Sequence, residues 1–221
     1  MKTEKIVEKI LLIFALSATL VIFLIILFLF KEGLPILKKE GLGFILGKIW
    51  NPGKEIYGAL TFIVGSLSVT FLALLIAIPL GVSCALFLAE IAPKRAESLF
   101  RPVIELLAGI PSVVYGMFGL IVIVRFIKVS FDVPTGETVL AGGIVLAVMI
   151  LPIIISVSED AIKSVPRIYK EGSFALGATH WQTMKRVILP TASSGITASI
   201  ILAMGRAIGE TMAVVLVLGN V

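Results

Sequence analysis

Charge is scarce in this chain: Asp, Glu, Lys and Arg together supply 15% of its 221 residues. Apolar residues supply 58% and the mean hydropathy is +1.12, too little polar surface to clothe a water-soluble globule of this size. Cysteine is almost absent, and the single Cys84 lies inside an apolar run. That excludes a disulfide framework and a thiolate metal cluster and leaves packing as its role. The one histidine, His180, has no second metal-ligand candidate at useful spacing, so packing or an interface accounts for it and no metal is expected. An intramembrane hydrolase needs a base buried in the membrane, and His180 falls in a loop, so no catalytic residue is assigned. No G-x-x-x-x-G-K-[ST] occurs; Gly47-Lys48 and Gly53-Lys54 lack its other residues. The chain therefore holds no ATP and no other cofactor is expected, and any power must come from another polypeptide. Basic residues outnumber acidic ones, 19 to 14, but they are scattered between apolar runs and form no stripe that would fit nucleic acid.

What the chain has in quantity is long apolar runs, and lipid is the solvent they imply. Ile10–Phe30 is uncharged and long enough to span a hydrocarbon core of about 30 Å, and it ends at Lys31-Glu32 without a signal-peptide cleavage site. Ile56–Ala89 exceeds one crossing, so the helix should enter near Phe62 after an interfacial start. Leu106–Val124, Thr138–Ser158 and Gly195–Leu218 complete an all-α, polytopic bundle of about five transmembrane helices. Pro79, Pro111 and Pro152 fall inside these runs and predict bent, packed helices. A cytoplasmic N-terminus places eleven Lys and Arg inside and seven outside, a bias that favours this orientation. The organisation is then an N-terminal cytoplasmic stub with the first span over 1–30, an extracytoplasmic segment over 31–57, and a core over 58–221. Residues 31–57 mix apolar residues with lysines, which suits either a short surface helix or a solvated loop.

The loop between the fourth and fifth spans, 159–190, is punctuated as helix, turn, helix. Pro166 can open a first helix running to Leu176, and Gly177 can turn the chain at its end. Thr179 with Gln182 three residues on predicts a capping box for a second helix that continues to Pro190. Ile168, Gly172, Ala175 and Leu176 share one side of the first helix, a low apolar crest flanked by Arg167, Lys170 and Glu171. A crest of this kind fits a partner's cleft, or it rests on lipid headgroups. On periodicity alone, lipid is the better occupant.

Glu171-Gly-Ser, then Gly177, then Val187-Ile-Leu189-Pro190 resembles the EAA loop of binding-protein-dependent ABC importer permeases, and that resemblance reverses the preference. Gly172 and Ser173 stand where that family carries two alanines, and Val187 where it carries isoleucine. Trp50-Asn-Pro52 with Tyr57-Gly-Ala-Leu60, Ala108-Gly-Ile-Pro-Ser-Val-Val-Tyr-Gly116 and Gly205-Arg-Ala-Ile-Gly-Glu-Thr-Met-Ala-Val214 are similar to the phosphate branch, and most to its PstC-type subunit. The resemblance implies a MetI-like permease fold in the cell (inner) membrane and import of inorganic phosphate, with another oxyanion as the alternative cargo, by a chain that is not itself an enzyme. It implies as partners ABC ATPase subunits, a second permease subunit of PstA type, an extracytoplasmic phosphate-binding protein and membrane lipid. It also implies that Glu171, Gly172, Ser173, Ala175, Leu176, Gly177, Leu189 and Pro190 couple the chain to the ATPase. The family core carries a further helix after the Gly-Glu-Thr-Met span, whereas this chain stops at Asn220-Val221, so the expectation is a bundle one helix short.

Arg206 and Glu210 are the charges inside the last span, and Arg206 lies about 16 Å from Gly195, close to the midplane. A central Arg costs about 2.5 to 3.5 kcal/mol to insert, so partners, water or function must offset it. Spaced i,i+4, the two can reach each other in the less favourable order. Either they line a substrate path together with Thr211, the guanidinium meeting an oxyanion, or they form a buried ion pair at a subunit interface. Gly205, Gly209 and Ala213 make an adjacent small-residue face for close helix approach. An ion-coupled carrier is the remaining rival, but Glu210 is the sole interior carboxylate and no paired repeats occur.

Overall fold

The computed structural model describes residues 2–219, with side chains from residue 5; the Asn220-Val221 end lies outside them. The chain divides into two compact units, 1–64 and 65–221.

In the first unit, helix α1 (Lys2–Glu40) runs unbroken through the apolar stretch and past Lys31-Glu32. Residues 31–40 are thus helix continuous with the first span, because Leu34, Ile36 and Leu37 extend its pattern and two charges do not stop a helix. A short helix α2 (Leu42–Leu46) follows, then strands β1 (Trp50–Asn51) and β2 (Ile56–Tyr57), paired antiparallel with Trp50 opposite Tyr57. Trp50 meets Tyr57 edge to face at 5.5 Å and Phe62 at 5.4 Å. Lys39 bonds Glu55 at 2.7 Å and holds its carboxyl below its ordinary value.

The second unit is organised around one helix. α3 (Leu60–Leu86) begins two residues before the expected entry at Phe62 and ends in a π turn, Phe87–Ile91. Amphipathic α4 (Lys94–Ala108) comes next, then α5 (Ser112–Phe118), a π turn (Gly119–Val124) and α6 (Arg125–Ser130). α7 (Val139–Lys163) starts at Thr138, whose hydroxyl accepts from the Ala141 amide. Its consecutive residues Ala141, Gly142 and Gly143, and again Val145, Leu146 and Ala147, are buried; a helix apolar all round belongs at the centre of a bundle.

Beyond α7 lie α8 (Arg167–Ala175), α9 (His180–Thr183), a π turn (Met184–Ile188) and α10 (Leu189–Thr191). The chain ends in α11 (Ser193–Ile208) and α12 (Met212–Leu218). Small residues spaced by four face the central helix: Val69, Ala73 and Ala77 from α3, and Ser199, Ala203 and Ala207 from α11. All but Ser199 form one core with Leu146, Ile150 and Ile154, while Ser158 and Ser199 share a buried hydrogen bond of 2.8 Å. At Gly116 of α5, a Cβ would come within 2.9 Å of the Ala213 Cα, so only glycine lets α12 approach this closely.

Among the described residues four helices are long and apolar enough to cross a membrane: Lys5–Glu40, Leu60–Ile91, Ser112–Ser130 and Val139–Lys163. A pair bent by 65°, His180–Thr191 with Ser193–Ile208, makes a fifth when counted as one span. The all-α polytopic bundle is therefore as the sequence implies, with two corrections. The third span is Ser112–Ser130 instead of Leu106–Val124. Leu106 and Leu107 belong to α4, and Pro111 bars Ile110 from helical backbone, so this proline caps a span and kinks none. The last apolar run is likewise two helices, not one across Gly195–Leu218, because α11 ends at Gly209 and Glu210 and Thr211 lie between helices.

Candidate functional site

Two places in the second unit collect the residues that carry chemistry. The first is the helix pair at the end of α7. Gly177 sits at φ +79°, where a side chain would be strained, and turns the chain out of α8. The expected capping box is formed: the Thr179 hydroxyl accepts from the Gln182 amide at 3.3 Å, and the Gln182 side chain accepts from the Thr179 amide at 2.9 Å. Ser173 hydrogen-bonds Thr183 at 2.9 Å across the turn and joins the two helices. Beneath them Ala85, Ile162, Val165, Met184, Ile188 and Ala192 pack into a separate core.

The outward side of α8 is bare. Ile168 is 71% exposed and Leu176 91%, and Glu171, Gly172 and Ala175 are exposed beside them, with nothing near enough to touch a Cβ at Gly172. Leu189 is half-buried and Pro190 exposed, at the start of α10. Phe174 and Trp181 widen this exposed surface.

Around its base runs a set of ion pairs that the sequence did not disclose. Lys170 pairs with Glu90, and Lys163 pairs with Glu159 within its own helix and with Glu97 of α4 at 2.5 Å. Arg101 of α4 bonds Glu105 and Asp160, each at 3.2 Å, and reaches the buried Glu159 at 4.0 Å. The Lys163 hydrogen bond holds the Glu97 carboxyl below its ordinary value, and Glu105 and Asp160 push the Arg101 guanidinium further up. The Lys163–Glu159 and Arg101–Glu105 pairs are i,i+4 within one helix, but Arg101–Asp160, Lys163–Glu97 and Lys170–Glu90 join residues 59 to 80 positions apart, which no local pattern announces.

The second place is the break between α11 and α12. Arg206 is exposed on the last turn of α11, whereas the Glu210 carboxylate accepts from the Ala213 amide at 3.1 Å and caps α12. The i,i+4 spacing therefore yields no ion pair between them among the described residues, because the helix that would align them ends at Gly209. Thr211 is exposed in the break. Ala213 is buried, Gly205 faces open space, and Gly209 closes α11, so the three do not make one helix face. Tyr115 of α5 lies within electrostatic range of Arg206, and its hydroxyl donates to the Leu107 carbonyl at 2.8 Å, bridging the α4–α5 break. No group of three His, Cys, Asp or Glu among the described residues is arranged to hold a metal ion.

Residues 77–221 match the family of binding-protein-dependent transport system inner membrane components. The chain belongs to this family. As an inner membrane component it carries its helix pair within the matched stretch, together with both helix breaks. Similar to this inner membrane component is the probable ABC transporter permease protein YqgH of Bacillus subtilis, 51% identical over 80% of the chain and 58% of the relative. The phosphate transport system permease protein PstC of Pasteurella multocida is 42% identical over 81% and 62%. PstC of Haemophilus influenzae is 38% identical over 95% and 71%. The chain thus spans about three-fifths of the length of its first curated relatives.

Proposed function

We propose that this chain is a membrane-spanning permease subunit of an ATP-driven importer of inorganic phosphate, with the ATPase seated on the exposed crest of α8. The observation that carries this is the crest: four small or apolar residues, Ile168, Gly172, Ala175 and Leu176, bare on a helix whose base is pinned by a core and by ion pairs. A helix exposed on its apolar side but anchored behind is suited to enter a groove and carry force. The names of the PstC relatives support phosphate as cargo. The end of α3, α4, the end of α7 and α8 gather at one side of the unit, which carries most of its Lys and Arg; that supports a cytoplasmic position for this side and for the N-terminus.

In this reading ATP closes a pair of ATPase subunits and pushes α8, opening a path between this chain and a second, PstA-type permease to the outside. Hydrolysis returns it to the inside, and an extracytoplasmic phosphate-binding protein delivers the anion. Arg206, exposed and free of Glu210, meets the oxyanion as forked donor, while Glu210 holds the break open by capping α12 and Thr211 adds a hydroxyl. Gly205 and Gly209 leave room for a neighbouring helix.

The test is co-purification of the chain with its ATPase, followed by labelled-phosphate uptake by the complex. Uptake should need ATP hydrolysis and survive collapse of ion gradients. Uptake that persists without the ATPase and follows an ion gradient refutes the assignment. Arg206→Ala should abolish uptake and Arg206→Lys should lower it; undiminished uptake by both removes Arg206 from the path.

A further inference from the structure

Two kinds of ion pair attach the surroundings of α8 to the bundle, and they differ in how readily they can part. Lys170, midway along α8, pairs with Glu90 on the π turn after α3, and their side chains are only 21% and 9% exposed. Separating that pair would strand a charge in a poorly hydrated place, an expensive step. Beside it the end of α3 is joined to the end of α7 and to the π turn after α9 by apolar contact, since Ala85 packs with Ile162, Val165, Met184 and Ile188, and Leu86 and Ala89 add to it.

α4 is held differently. Its pairs with α7 are more exposed, Glu97 with Lys163 at 33% and 30% and Arg101 with Asp160 at 42% and 60%, the buried Glu159 is reached only at 4.0 Å, and its apolar seam with the rest of the bundle rests on Leu88, Ile104 and Ile155. Exposed pairs of this sort exchange readily with water. α4 also ends at the Gly109–Pro111 break and begins after Pro93, so it is not continuous helix with either neighbour.

We propose that Glu90 and Lys170 are positioning residues of the transport cycle: their pair fixes α8 to the end of α3, the two move as one body, and α4 slips along α7. The inference rests on the reading above that α8 receives the ATPase. Glu90 is the informative member, because it lies 80 positions from its partner and outside every motif that marks the coupling loop. Its π turn, closed by the Ala92 amide on the Phe87 carbonyl, inserts an extra residue at the end of the helix that carries it.

The experiment uses the complete complex with its ATPase, and wild-type complex that neither co-purifies nor takes up phosphate defeats the parent reading before any variant is made. In a Cys84→Ser background, spin labels are placed at Ile91 and Tyr169, across the joint, or at Ser98 and Ser164, across the slip. The distance across the joint should be the same in nucleotide-free and ATP-trapped complex, while that across the slip shifts by up to a helical turn, about 5 Å. A shift across the joint, or none across the slip, overturns the proposal. Glu90→Gln and Lys170→Met should each keep ATP hydrolysis but lower phosphate moved per ATP about tenfold. The reversed pair, Glu90→Lys with Lys170→Glu, should restore the ratio. Normal ratios in the single variants, or no rescue by the reversed pair, also overturn it. Should the single variants fail to assemble, the spin-label distances, measured with the pair intact, decide between the two outcomes.

Discussion

Replacing Lys163 with methionine should destabilise the bundle more than replacing Glu159 with glutamine, although the two substitutions break the same ion pair. The Glu159 carboxylate is 2% exposed, between Lys163 and Arg101, and Lys163 is 30% exposed and has Glu97 as a second partner. Without the lysine, Glu159 keeps only Arg101 at 4.0 Å, a nearly uncompensated buried charge, and the cost is about 3 kcal/mol, the low end for such a loss. Without the Glu159 charge, Lys163 turns to Glu97 and to water, and the cost is about 1 kcal/mol. For a chain of this size these figures correspond to melting-point drops of about 6 to 12 °C against about 2 to 4 °C. The native reporter is Cys84, half-buried in α3 and the sole thiol, whose reaction with a thiol-sensitive dye on heating in detergent follows loss of the fold. Equal shifts, or a larger one for Glu159→Gln, would refute the assignment of Glu159 as a buried charge dependent on Lys163.

Gly81→Ala should cost about 1 to 3 kcal/mol in the same assay, because its Cβ would stand 2.6 Å from the Ile154 Cγ2, whereas Gly205→Ala, with nothing within 4 Å, should be neutral or stabilising. Thr179→Ala should cost about 1 kcal/mol and raise hydrogen exchange at 180–183, as the capping box is lost. Since Lys163 depresses the Glu97 carboxyl in the folded chain, its stabilisation is complete above the ordinary Glu value and disappears as pH falls through the lower folded value. The stability gap between wild type and Glu97→Gln should therefore be flat from neutral pH down to about 5 and close at more acidic pH, and a gap that widens on acidification would contradict this.

What the chain disclosed in advance was local. The Thr179–Gln182 box, the turn at Gly177 and the central span from Thr138 onward are encoded within a few residues, and each forms as its pattern implies. The α4–α5 boundary was hidden because Leu106 and Leu107 look the same in an amphipathic helix as in a span; the usable signal was Ile110-Pro111. The α11 break was hidden because the apolar run resumes at Met212, directly after Gly209-Glu210-Thr211, and with it fell the apparent pairing of Arg206 with Glu210. The long-range part of the charge network was hidden, since Arg101 and Asp160 or Lys170 and Glu90 meet only after the bundle has assembled.

The contact between the two serines in the core has a direction. The Ser199 hydroxyl spends its one proton on the Ile196 carbonyl at 2.7 Å, so toward Ser158 it can only accept, and Ser158 must be the giver. The interior thus contains a one-way relay from the central helix to α11. Trimming its head, Ser158→Ala, leaves every remaining polar atom of the relay satisfied, whereas trimming its middle, Ser199→Ala, orphans a hydroxyl in a dry interior; mutational tolerance at two chemically identical positions should therefore be unequal.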